Sequence, residues 1–88
     1  MNTLKVLVVD DSLVQRNHVI TLCQKHNIET IVEATDGIDA IEKLKEQTFD
    51  LVFIDLEMPK MDGVELVRRI ATEKLAESVI ILSSKDPA

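Results

Sequence analysis

Eighty-eight residues with a formal net charge of −6 hold one domain at most, and that charge repels phosphate backbones, so direct DNA or RNA binding is not expected. Hydrophobic residues at 45% and charged ones at 30% exclude a disordered chain, while only two aromatics, Phe49 and Phe53, leave no stacking platform for single-stranded nucleic acid and require a core of Val, Ile and Leu. No apolar stretch is long enough to cross a bilayer and Met1 to Lys5 lacks a secretory pattern, which leads us to expect a cytoplasmic protein that does not engage membranes.

Leu4 to Val9 is short, β-branched and apolar, the mark of a strand covered on both faces, and it stops at Asp10-Asp11. Ser12 and Gln15 stand at capping-box spacing, predicting a helix that packs through Val19, Leu22 and Cys23. As the lone cysteine, Cys23 excludes an intrachain disulfide and a thiolate zinc cluster, and packing is its expected role. Lys25 and His26 suit the negative end of that helix, and Asn27 suits a left-handed residue just beyond it. Glu29 to Ala34 reads as a second strand and Thr35-Asp36-Gly37 as a turn. The helix after it is expected to pack through Ile38, Ile41 and Leu44 and to end near Gln47.

Asp50 to Ile54 is a third buried strand that ends at Asp55, followed by a loop from Leu56 to Met61. Asp62 and Glu65 open a third helix expected to bury Val64, Val67, Ile70 and Ala71, and Ser78 to Leu82 is a fourth strand ending at Ser83. Strands alternating with helices mean parallel β-α-β units with right-handed crossovers. The fourth strand is expected at an edge despite its apolar sequence, which invites association.

Asp10, Asp11, Asp55 and Ser83 therefore all fall at carboxyl ends of parallel strands. In an open α/β sheet of order 2-1-3-4, ligands bind at the switch point between strands one and three, where the three aspartates would converge. Three crowded carboxylates need compensation. A hard divalent cation such as Mg²⁺ supplies it, because it takes oxygen ligands from a few carboxylates and leaves room for phosphate oxygens. Individually these residues have plainer readings: Asp11 as a helix N-terminal acid, Ser83 as a polar strand end. Asp55 closes an apolar strand with no capping duty, and the conjunction across strands carries the argument.

Asp10-Asp11-Ser12, Asp36-Gly37, Asp55-Leu56-Glu57-Met58-Pro59, Met61-Asp62-Gly63 and Ser83, in this order and spacing, closely resemble the receiver domain of two-component response regulators. The resemblance covers nearly all of residues 1–88. It implies a flavodoxin-like, doubly wound parallel sheet and a phosphoacceptor switch rather than an enzyme acting on a separate substrate. Asp55 would take the phosphoryl group from a sensor histidine kinase or phosphotransfer protein. Asp10, Asp11, Asp55 and the Glu57 carbonyl would hold Mg²⁺, and the Ser83 hydroxyl would bind a phosphoryl oxygen. An output domain or downstream protein would read the result. The family's fourth helix, fifth strand and fifth helix, and the lysine ending that strand, have no counterpart in these residues; Lys85 does not replace it. The reading therefore expects slow or short-lived phosphorylation, and a homodimer that buries the bared apolar surface.

Two rivals remain open at this stage. One is a truncated receiver that acts as a dimerisation or interaction module without useful phosphorylation. The other is an Mg²⁺-dependent phosphohydrolase, for which Glu57 stands where an acid-base residue two after the nucleophile would be. His18 and His26 read as surface or helix-end residues, Arg68 and Arg69 as a solvated face shared with Glu65 and Glu73, and Met58 and Met61 as loop packing. No phosphate-binding glycine motif of the nucleotide-binding kinds is present.

Overall fold

In the computed structural model, which describes residues 4–55 and 63–82, strand β1 (Lys5–Val9) lies at the middle of a parallel sheet. It pairs on one side with β2 (Thr30–Ala34) and on the other with β3 (Leu51–Asp55); β4 (Ser78–Leu82) pairs with β3, giving the order β2-β1-β3-β4. Val6 stands between Ile31 and Leu51, and Val9 between Ala34 and Ile54. Helices α1 (Leu13–Lys25), α2 (Gly37–Glu46) and α3 (Gly63–Glu73) make the crossovers.

Alternate side chains of the sheet serve opposite layers. Leu7, Val9, Val52 and Ile54 pack with Ala40, Ile41 and Leu44 of α2 and Leu66 and Ile70 of α3. Val6 and Val8 face the other way, against Cys23 and the half-buried Val19 and Ile20 of α1. Val6 through Val9 are wholly buried, which is why that run is apolar at every position rather than at every second one. Because α1 leaves β1 toward one face and α3 leaves β3 toward the other, the switch point falls between those strands, as expected.

The helix faces match the expected ones at Val19, Cys23, Ile41, Leu44, Val67 and Ile70 and differ at four positions. Ile38 is half exposed and Val64 two-thirds exposed, and Leu22 and Ala71 also face solvent. The packed stripe of α2 is Gly37, Ala40, Ile41 and Leu44, and that of α3 is Gly63, Leu66 and Ile70 with Val67 beside them. Small residues carry the start of each stripe, so the bulky neighbours one position on turn outward. Asn27 takes the left-handed conformation at φ 64°, and Ile28 N–H closes back on the Cys23 carbonyl at 3.0 Å, the C-terminal cap expected there. Ile80 and Ile81 of the edge strand β4 are both exposed.

Asp36 is not merely a turn residue: its Oδ1 accepts the Asp39 N–H at 2.8 Å and caps α2. Asp39 answers by accepting the Thr35 N–H at 3.1 Å and the Lys43 Nζ at 2.7 Å. The Lys43 hydrogen bond, above all, holds the Asp39 carboxyl below its ordinary 3.8. The folded state thus favours ionised Asp39, and this contribution is complete above 3.8 and lost as pH falls through the lower folded value. Asp39→Asn is expected to cost about 0.5–1 kcal/mol at pH 7. In urea titrations the gap to the parent should close under strongly acidic conditions. A gap that persisted there would show that the charge of Asp39 is not what stabilises the cap.

Candidate functional site

Strand β1 runs one hydrogen bond past its last residue. The Asp10 N–H donates to the Ala34 carbonyl at 3.1 Å, which holds Asp10 on the sheet edge with only 2% of its surface exposed. Its Oδ1 accepts the Ser12 N–H at 2.9 Å. Ser12 in turn accepts the Gln15 N–H at 3.3 Å and N-caps α1. The expected capping box is therefore half of what forms: Asp10, rather than the Gln15 side chain, satisfies the Ser12 N–H. The turn that starts α1 and the residue that follows β1 are thereby one unit.

Asp55 ends β3 at 3% exposure, paired in register with Leu82 of β4. Asp11, which follows Asp10 in the chain, is exposed. One carboxylate oxygen from each of Asp10, Asp11 and Asp55 lies within 4.8 Å of the others. The three residues expected to meet at the switch point do meet there. At that separation, like unit charges repel by roughly 3.5 kcal/mol per pair at an effective dielectric of 20. Burial pushes the Asp10 carboxyl above its ordinary 3.8; the Ser12 N–H opposes this, and the charges of Asp55 and Asp11 and a side-chain hydrogen bond with Asp55 add to it. A site of this kind favours whatever brings positive charge to its oxygens.

The donor set fits a small hard cation. Every donor is a carboxylate oxygen, two of the three groups are buried, and the third opens to solvent, where a cation keeps its waters. Glu57 and Ser83, the other expected site residues, lie outside the described residues, as do Met58, Met61 and Asp62. Chemically, the arrangement presents a buried carboxylate, Asp55, in a cluster of three that could hold a cation at a strand edge.

A residue that the sequence reading passed over borders this site. Arg16 donates from Nη1 to the Asp10 carbonyl at 2.7 Å and from Nε to Glu33 Oε1 at 2.8 Å. A cation at the start of a helix opposes the helix dipole, and that was the available signal that Arg16 has another task. The remaining candidates fall where expected. His18 and His26 are exposed on or beside α1, Arg68 pairs with Glu65 and Arg69 with Glu73 on the outer side of α3, and Cys23 is buried with its thiol pushed up by that burial.

Residues 6–88 match the family described as the response regulator receiver domain. Among relatives, a protein-glutamate methylesterase/protein-glutamine glutaminase of Clostridium acetobutylicum is 36% identical over 96% of this chain, which spans 25% of that protein. The chemotaxis protein CheY of Listeria monocytogenes is 33% identical over 92% of this chain and 68% of its own length. Several relatives are thus much longer, the chain spanning 25% and 40% of the methylesterase and of the Bordetella pertussis regulator BvgA. Among solved structures, the response regulator TrrA of Thermotoga maritima, in complex with Mg²⁺-BeF, superimposes with a TM-score of 0.87 at 30% identity, covering 96% of this chain and 72% of that one.

Proposed function

Given that the chain belongs to the response regulator receiver family, we propose that it is a phosphoacceptor switch whose buried Asp55 accepts a phosphoryl group in an Mg²⁺-dependent step. The observation that carries this reading is the convergence of Asp10, Asp11 and Asp55 at the carboxyl edge of β1 and β3. An interaction module would have no use for three carboxylates brought together at a cost in repulsion, so the convergence favours the acceptor over that rival.

An oxygen of Asp55 attacks the phosphorus of a phosphohistidine on a sensor kinase or phosphotransfer protein. The O–P bond forms as the P–N bond breaks, and the imidazole nitrogen leaves with the electron pair. Asp10 and Asp11 would hold the cation beside Asp55, with the Glu57 carbonyl and the Ser83 hydroxyl as the family's further ligand and phosphoryl contact. When bound, the cation neutralises the crowded carboxylates and the oxygens of the transferring group. The chain's own part is to keep Asp55 at the end of a rigid strand, shielded from bulk water, and to leave one side of the pocket open through Asp11. The aspartyl phosphate would bias a two-state equilibrium in the loops of this edge, to be read by an output domain or a downstream protein in the cytoplasm.

The test is a paired titration. Beryllofluoride, which stands in for a phosphoryl group, should bind tightly only with Mg²⁺ present, and Mg²⁺ should bind more tightly once beryllofluoride is added, by the same factor. A small phosphodonor such as acetyl phosphate should add one phosphoryl group to the protein under the same conditions. Beryllofluoride binding that ignores Mg²⁺ would refute the reading.

A further inference from the structure

Resting on the phosphoacceptor reading, we propose that Arg16 is a positioning residue for the metal site: it clamps the peptide between Asp10 and Asp11 and so fixes where those two carboxylates stand. The Asp10 carbonyl lies beyond the last residue of β1, where the strand pairing of the described residues has ended. The Arg16 guanidinium binds there, with Nη1 on the carbonyl at 2.7 Å. Nε of the same group binds Glu33 Oε1 at 2.8 Å, and Glu33 sits on β2 directly opposite Val8. The Arg16 side chain is only 11% exposed, so the fork is held rather than waving in solvent.

All three hydrogen-bonding groups of Asp10 are thus tied, one to β2 and two to α1. Its N–H goes to β2 at Ala34, its carboxylate to the α1 cap at Ser12, and its carbonyl to Arg16 in the body of α1. The neighbouring Asp11 is exposed, and no hydrogen bond from a described residue holds its carboxylate, so its direction is inherited from the peptide that Arg16 grips. A planar guanidinium offers a carbonyl and a carboxylate fixed donors on two separate edges; an ammonium gathers its three donors at one point and holds that geometry less well. Outer partners of this kind commonly govern metal affinity by about tenfold or more.

The experiment compares Arg16→Ala, Arg16→Lys and Glu33→Gln with the parent protein by Mg²⁺ calorimetry and by amide hydrogen exchange without metal. Arg16→Ala should weaken Mg²⁺ binding about tenfold and speed exchange at Ser12 by a similar factor, with Leu7 and Val8 inside β1 unchanged. Arg16→Lys should recover part of both effects, and Glu33→Gln should move them least, because an amide oxygen still accepts from Nε. If Ser12, Leu7 and Val8 all loosen together while Mg²⁺ affinity holds, Arg16 only supports the fold and the proposal is overturned. Unchanged exchange at Ser12 overturns it as well. A parent protein that binds no Mg²⁺ while Ser12 still responds would overturn the phosphoacceptor reading and the metal role together, leaving the clamp as a property of the turn alone.

Discussion

Asp55→Asn should leave the sheet folded and abolish phosphoryl transfer from acetyl phosphate, lowering the yield of modified protein by more than about a thousandfold in intact-mass spectra. The amide matches the carboxylate in shape, and Asp55 closes β3 in register with Leu82, so backbone pairing has no reason to change. What disappears is the nucleophilic oxygen, and with it the charge that the cation would share. Asp10 has the same burial and the same chemistry, yet it is engaged through Oδ1 with the Ser12 N–H and through its charge with Asp55 and Asp11. Asp10→Asn should therefore suppress the reaction by weakening metal binding, with rate restored in part at high Mg²⁺, whereas Asp55→Asn should resist any concentration. Full modification of Asp55→Asn would move the acceptor to another residue and remove the basis of the proposed function.

Asp10→Asn should also reverse the order of stability according to whether Mg²⁺ is present. Without metal, the variant is expected to be more stable than the parent, by about 1 kcal/mol or about 4–8 °C in melting temperature. Burial in the first place, and then the neighbouring acids, raise the Asp10 carboxyl above 3.8, so the metal-free fold disfavours its charge. In linkage terms, the stability tied to protonated Asp10 is complete below 3.8 and lost as pH rises through the higher folded value, so the parent carries the deficit at neutral pH. The asparagine carries none, and its Oδ1 still accepts from Ser12. With Mg²⁺ at about a hundred times its dissociation constant, the parent gains about 2.7 kcal/mol by mass action and the variant gains little. Urea midpoints in EDTA and in Mg²⁺ should cross. A variant that is the weaker protein in both solutions would mean that the acidic pocket is not strained without metal.

The strands and the acidic cluster were legible because both are written in residues whose environment leaves little choice. A run such as Val6 to Val9 is tolerated only when both faces are covered, and an aspartate at its end is conspicuous. Ser78 to Leu82 was read with its bounds correct from its β-branched apolar run, although Ile80 and Ile81 are exposed. The helix stripes were less legible. Their packed positions include Gly37, Ala40 and Gly63, which carry almost no hydrophobic signal, while Ile38, Val64 and Leu22 are conspicuous but face outward. Close approach of helix to sheet selects small residues, and a reading weighted by side-chain bulk drifts off that stripe. Arg16 was missed because its partners, a backbone carbonyl six residues earlier and a glutamate on β2, are set by tertiary structure and by no local spacing.

The order β2-β1-β3-β4 places the first of these four strands to be synthesised inside the sheet rather than at its edge. Val6 to Val9 cannot be paired on both edges until residues 51–54 have left the ribosome, so a nascent chain carries a sticky valine-rich segment while the intervening residues 10–50 are made. Pausing between β2 and β3 would prolong that exposure, and this is the interval in which a chaperone has something to hold.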